Sequence, residues 1–291
     1  MRGLKILAGI GIIVLLVLFF RDSAKYIISA NPLFFIGSII CYELLNVLLA
    51  YRIYHVLESM GKEARFSDVL RAHLAGMIAG DFTPGRAGYF SVPVFAKAYG
   101  IDSKAVMGVI LSSQAVEMVV KVFGASIGIV YLLGLNELYL VAVPFLMSSL
   151  AVVYLWTDIP PNLERLKMVR KYARETKRNA LFILSISLTG WIVVGAQWYL
   201  IFLSLGLKVS FFQAMVLQPL GTLLMFAPLT PGGMGLFESG SGFMVSLVTG
   251  SISAGIAHSI LVRASTVLAD LPGISEFKKE SRDIRLRELS S

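Results

Sequence analysis

The chain has 291 residues, 56% of them hydrophobic and 15% charged, with a mean hydropathy of +0.77. A soluble domain carries roughly 25% charged residues, so a soluble globular protein is excluded: too few polar side chains exist to cover this much apolar surface. The net charge of +8 is gathered into a few segments between apolar runs, a pattern of membrane orientation and contact with anionic lipid rather than of nucleic-acid binding.

Arg2 and Lys5 precede an apolar run from Ile6 to Phe20. No small-residue cleavage pattern follows it, so it reads as a retained first span. The second span runs from about Pro32 to Ala50 and carries Glu43, Asn46 and the single cysteine, Cys41, which excludes an intrachain disulfide and a cysteine-rich metal site. A polar stretch, Tyr51 to Arg71, leads to an apolar piece from Ala72 to Phe82 that is too short to span. It breaks at Thr83-Pro84-Gly85-Arg86-Ala87-Gly88, and a second short piece follows from Tyr89 to Ala98. Further spans cover about Ala105 to Leu133 and Leu138 to Trp156. The polar segment Asp158 to Arg178 holds seven basic residues. A fifth span runs from about Leu181 to Leu205. Phe211 to Pro228 and Met234 to Val248 flank a second break, and a sixth span covers about Ile252 to Leu271 before a charged tail. The basic residues fall mostly at both termini, in Tyr51 to Arg71 and in the central segment, which the positive-inside rule places in the cytoplasm. The expected location is the cell membrane, multi-pass, with both termini cytoplasmic.

The two breaks match. Thr83-Pro84-Gly85-Arg86-Ala87-Gly88-Tyr89-Phe90 aligns with Thr230-Pro231-Gly232-Gly233-Met234-Gly235-Leu236-Phe237 at an offset of 147, about half the chain. Each half reads as two spans, a broken hairpin and one more span, with the halves in opposite orientation. The expected fold is therefore an all-α polytopic membrane protein of six full spans plus two broken re-entrant hairpins, about eight membrane helical elements, built as an inverted-topology repeat. Repeat A covers about 1–134 and repeat B about 135–275 of a single membrane domain; the basic loop spans 158–178, and 276–291 form a cytoplasmic tail. Interrupted helices at matching places in inverted halves point to a transport site at mid-membrane. Each motif reads as a helix start, with Thr83 and Thr230 capping free amides and Pro84 and Pro231 at the first helical position. The glycines at 85, 88, 232, 233 and 235 admit a turn or a close ligand, and the exposed amides favour an anion. Structural kinks without a ligand are the alternative.

The proline-glycine-arginine motif near residue 85 and the run Leu229-Thr230-Pro231-Gly232-Gly233-Met234-Gly235-Leu236-Phe237-Glu238 resemble the flippase-like membrane family related to the transmembrane domain of lysylphosphatidylglycerol synthase. The resemblance covers most of the chain. It implies about eight membrane helices including re-entrant pieces, and a role in moving lipid between leaflets; in the synthase a separate soluble domain makes the aminoacylated lipid. The chain resembles the stand-alone members that lack that domain. Tyr89 stands where the family often has glutamate after the second glycine of the first motif, while Glu238 keeps the acid of the second.

Ionisable groups at membrane depth are costly and face the bundle interior. The candidates for substrate binding or gating, beyond the motif residues, are Arg86, Glu117, Lys121, Glu238 and Arg263, with Glu43, Asp81 and Asp270 as further embedded charges. Glu117 and Lys121, four apart, read as an ion pair on one helix face. The fork of Arg86 suits an oxyanion; its internal partner is expected to be Glu238, if the hairpin tips meet, or Asp81. Arg263 serves the other half or acts as an internal counterion, and Asp270 lies near water at a helix end. His55, His73 and His258 are too far apart in sequence to suggest a metal site, and no nucleotide loop is present, so no cofactor is expected. The expected partner is an anionic membrane lipid of phospholipid or polyprenyl-phosphate type, with no nucleic acid and the oligomeric state left open. A transporter of a small soluble anion, an intramembrane transferase and an assembly partner are the alternatives.

Overall fold

The computed structural model describes residues 21–157, 167–225 and 235–276. All regular structure among them is helical. The long helices start and stop where short polar side chains and glycines dictate. Helix α1, Pro32–Ser59, opens with the Asn31 side chain accepting from the Leu33 amide at 2.9 Å and Pro32 in the first turn, where its missing N–H costs nothing. It runs past the expected end at Ala50 because Leu45, Leu49, Arg52 and Val56 continue one buried face. After α2 (Phe66–Asp81), a 3₁₀ turn (Ala87–Ser91) and the short α3 (Val92–Ala98) comes α4, Ser103–Leu133. Asp102 caps the amides of Lys104 and Ala105, and Gly134 ends the helix in the left-handed region at φ 62°. Then follow α5 (Tyr139–Trp156), α6 (Lys167–Glu175), α7 (Ala180–Ser204), α8 (Phe211–Met225), α9 (Leu236–Thr249) and α10 (Ile252–Asp270), the last capped by Ser251.

Five stretches among the described residues are long and apolar enough to cross a membrane: Pro32–Ser59, Ser103–Leu133, Tyr139–Trp156, Lys167–Ser204 and Ile252–Glu276. The chain is an all-α, multi-pass membrane protein. The expected span Ile6 to Phe20 and the tail beyond Glu276 lie outside the described residues. So do 158–166, while the remainder of the basic segment forms α6 and a 3₁₀ turn leading into α7.

Helices α1 and α7 pair antiparallel along their whole length. The Asn31 amide donates to the Ser204 carbonyl at 2.7 Å at one end, and the Asn179 side chain donates to Ser59 Oγ at 2.7 Å at the other. Helix α4 packs between α5, α6 and α8, while α10 packs on α9 and α1. A buried Gln197 on α7 donates to Ser265 and Thr266 of α10, at 2.8 and 3.3 Å, the cross-helix bond expected of an amide in lipid. Helix α5 is different: none of its residues is buried, and Val143, Leu146, Met147, Leu150 and Val153 point outward.

The α9–α10 contact depends on backbone touching backbone. A Cβ added at Gly255 would sit 2.0 Å from the Gly242 carbonyl oxygen, so the helices approach as closely as small residues allow. Gly255→Ala must push them apart. We expect it to lower stability by about 1–3 kcal/mol, the usual cost of overpacking, read as a lower thermal unfolding midpoint of the purified protein. An unchanged midpoint would show that the pair is not in contact.

Candidate functional site

The first break is a turn rather than a helix start. Thr83 does not cap a helix opening at Pro84. Its hydroxyl donates to the Ala79 carbonyl at 3.0 Å and accepts from the Gly88 amide at 2.6 Å, so it staples the turn to the end of α2. Gly88 must be glycine, since a Cβ there would lie 2.2 Å from the Ala79 carbonyl oxygen. Gly85 and Arg86 both take left-handed conformations, at φ 61° and 55°, and Arg86 is the only non-glycine residue to do so among those described. A left-handed arginine is strained. The reversal it makes folds the side chain back toward the end of α2, where its Nη2 donates to Asp81 Oδ1 at 2.7 Å.

Asp81 and Asp270 supply the carboxylates to Arg86, and Glu238 does not. The same Nη2 lies 3.6 Å from Asp270 Oδ2, and Nη1 donates to the Tyr42 hydroxyl at 3.2 Å. The expected Arg86–Glu238 pair is therefore replaced by one that needs no meeting of hairpin tips, because Asp81 sits five residues upstream on the adjoining helix end. Asp270, expected to face water, is wholly buried, and its Oδ1 accepts from Asn46 Nδ2 at 2.8 Å. Glu238 pairs instead with the nearby Arg263, which acts as an internal counterion; Glu238 Oε2 also accepts from the Gly235 amide at 2.7 Å where α9 begins. The Arg263 guanidinium lies 5.2 Å from the Phe237 ring centre. Thr230, Pro231, Gly232 and Gly233 lie outside the described residues.

Glu117 and Lys121 form the expected pair at 2.7 Å, but the pair is one half of a larger group. Arg52 Nη2 bonds Glu117 at 3.0 Å, and its Nη1 donates to Ser187 Oγ at 3.1 Å. Arg52 is wholly buried. In the sequence it counted among the basic residues of a polar segment. The signal that could have moved it inward is the apolar spacing of Leu45, Leu49, Ile53 and Val56 around it.

These groups converge on a cavity of about 250 Å³. Gly85, Arg86, Glu117 and Lys121 line it, as do Tyr42, Gln114 and Gln218, and most of the remaining wall is apolar: Leu45, Leu49, Met77, Met118, Val194 and Met225, with Trp191 and Trp198. Tyr42, Met118 and Trp191 fall near the midpoints of α1, α4 and α7, so the cavity lies at the centre of the helix bundle. Gly88, Glu238, Gly235 and Arg263 are not in its wall, although Phe237 and Val262 beside them are. Among the described residues no group of His, Cys, Asp and Glu is placed to hold a metal ion.

A separate polar cluster ties α6 to the loops before α2 and α4. Asp102 Oδ2 accepts from Lys62 Nζ at 2.8 Å and from the Tyr172 hydroxyl at 3.0 Å. Burial pushes the Asp102 carboxyl up, but the bonds from Lys62, the Ala105 amide and Tyr172 outweigh it and hold it at about 2, below its ordinary 3.8. The hydrogen bonds to Asp102 and Tyr172 raise the Lys62 ammonium above its usual value. A depressed carboxyl stabilises the fold fully above its unfolded value and loses that contribution as pH falls through the folded one. Asp102→Asn should therefore be less stable than native at neutral pH, with the gap in unfolding midpoint closing as pH drops from about 4 toward 2. A gap that persists in acid would mean that the charge of Asp102 is not what holds the cluster.

Together the bundle, the turn after α2 and the buried charges around a central cavity define a polytopic α-helical membrane protein. Residues 6–272 match the lysylphosphatidylglycerol synthase TM region family, and the chain belongs to that family. It is also 33% identical over 94 residues to the UPF0104 membrane protein MJ1078 of Methanocaldococcus jannaschii, a match covering 32% of this chain and 40% of that relative.

Proposed function

We propose that the protein moves an anionic amphiphile, of phospholipid or polyprenyl-phosphate type, between membrane leaflets. The observation that carries this reading is the cavity: apolar over most of its wall, at the centre of the bundle, with Arg86 and Lys121 at its surface. An acyl or prenyl chain needs the first property and a phosphate needs the last. A small soluble anion would gain nothing from the aliphatic and indole surface. The family named for the synthase's membrane region supports a lipid as the partner.

The topology that goes with it is six spans and two re-entrant hairpins in inverted halves, residues 1–134 and 135–275 approximately, with the 158–178 loop, the 276–291 tail and both termini in the cytoplasm. Two features support it. Helix α2 has 16 residues, about 24 Å at 1.5 Å per residue, and turns back at Arg86. And α1 and α7, which occupy equivalent places in the two halves, pair antiparallel. Thr83, Pro84, Gly85 and Gly88 then shape the gate of one half, and Thr230, Pro231, Gly232, Gly233 and Gly235 that of the other. Glu117 and Lys121 meet the headgroup with Arg86, while Glu238 and Arg263 brace the second hairpin.

The test is leaflet transfer of fluorescent lipids in proteoliposomes of the full chain. A phosphate-monoester or anionic phospholipid should cross faster than a zwitterionic one, and free inorganic phosphate should not be taken up. Equal transfer of both lipids, or phosphate uptake without lipid transfer, would overturn the reading.

A further inference from the structure

Around Arg86 the polar atoms do not balance. Asp81 is 4% exposed and Asp270 0%. Asp81 Oδ1 is engaged by Arg86, and Asp270 Oδ1 by Asn46. The other oxygen of each, Asp81 Oδ2 and Asp270 Oδ2, is sealed from solvent and accepts no hydrogen bond. Yet the two carboxyls lie side by side against the same nitrogen: Arg86 Nη2 is 2.7 Å from Asp81 Oδ1 and 3.6 Å from Asp270 Oδ2. Two ionised carboxylates have no donor to offer one another. With one guanidinium between them they also leave one uncompensated negative charge in a dry site, which is expensive. A single proton removes both problems at once: it makes the missing bond and brings the group to neutrality.

We infer that Asp81 and Asp270 form a proton-binding site, holding one proton between them against Arg86. The other groups facing the site are few. Tyr42 on α1 bonds Arg86, and Glu43 lies 3.5 Å from the amide of Asn46. On α2, the Nδ1 of His73 lies 3.3 Å from the Tyr89 hydroxyl. The path for the proton is short, because Arg86 and Tyr42 line the cavity. A hydronium ion in the cavity gives up its proton, its O–H bond breaking to leave water as the carboxyl O–H forms, and release is the reverse.

Asp81 ends α2 and Asp270 ends α10, so the proton joins an element of the first half to one of the second. Release leaves two adjacent carboxylates that repel and loosen this seam; uptake closes it. The proton is then the coupling ion for the transport proposed above. That coupling rests on the transport reading, whereas the proton site does not.

The two parts are tested separately. Infrared spectra of the purified full chain in lipid, at neutral pH, should show the carbonyl stretch of a protonated buried carboxylic acid. Asp81→Asn and Asp270→Asn should each abolish it, since the remaining carboxylate then pairs alone with Arg86. Each replacement mimics the protonated acid in shape, so both variants should fold, and either one suffices if the other does not. A spectrum without such a band, or with a band that survives in a folded variant, overturns the proton site. In proteoliposomes an imposed pH gradient should accelerate lipid transfer by the native protein and leave Asp270→Asn unresponsive. A band that behaves as expected with no lipid transfer at any pH would leave the proton site standing and remove the transport reading instead.

Discussion

Replacing Glu117 with alanine is expected to destabilise the protein by about 3–5 kcal/mol, the cost of breaking a buried ion pair from one side. The carboxylate serves two cations, Arg52 at 3.0 Å and Lys121 at 2.7 Å. Lys121 lines the cavity and can turn toward water there. Arg52 cannot: its side chain is 1% exposed, its Nη1 is held by Ser187, and its Nε already lacks a hydrogen-bond partner among the described residues. The penalty is therefore that of a guanidinium stranded among α1, α4 and α7. The double variant Arg52→Met with Glu117→Ala should recover much of the loss, because a buried pair can be exchanged for neutral groups at little net cost. Thermal unfolding of the four proteins of this cycle decides the matter. Glu117→Ala within about 0.5 kcal/mol of native would mean that water reaches Arg52.

The second large effect is on transport. Arg86→Gln should slow leaflet transfer roughly ten- to a hundredfold, as expected from the loss of a charge-assisted bond to a phosphate of about 1.5–3 kcal/mol. The substitution takes away the cation at the cavity wall and leaves Asp81 and Asp270 without their shared counterion. Arg86→Lys should restore part of the rate, since a point charge lacks the fork that holds Tyr42 and Asp81 at once. Lipid binding measured alongside transfer separates a lost ligand from a jammed gate. A well-folded Arg86→Gln protein that transfers lipid normally would remove Arg86 from the mechanism.

How much of this could be read from the chain follows from the range of each interaction. Helix ends were legible to within a few residues wherever apolar length and a cap agreed, as at Asn31-Pro32 and Asp102. The Glu117–Lys121 pair was legible because four residues on a helix fix a distance. The partner of Arg86 was left open between Asp81 and Glu238, and the motif match favoured the wrong one. A shared motif says that two turns are alike in shape; it does not say that they touch. What decides is the left-handed residue at Arg86, which aims the side chain back at its own helix end, and no local pattern announces a positive φ on arginine. Arg52 was hidden by a different effect. Counting basic residues to orient spans treats each as external, so a buried arginine within a basic segment is absorbed into the count. Asp270 was misjudged in the same way, as a charge at a helix end, because the turn at 271–273 that packs it against α2 is a matter of tertiary contact.

Helix α5 has its own consequence. It packs on α4 and α6, with Val152 and Trp156 against the core and the Trp156 indole N–H donating to Ser112 at 2.7 Å, and offers most of its remaining surface to hydrocarbon. Eighteen residues make about 27 Å, close to the roughly 30 Å of a bilayer interior. An element held on one side and solvated by lipid on the other answers to the thickness of its surroundings: a thinner bilayer tilts it, and a thicker one is drawn in around it. Since α4 carries Glu117 and Lys121, a tilt of α5 is transmitted to the helix that bears the charges of the cavity. The acyl-chain length of the host membrane thereby becomes a setting on the site itself.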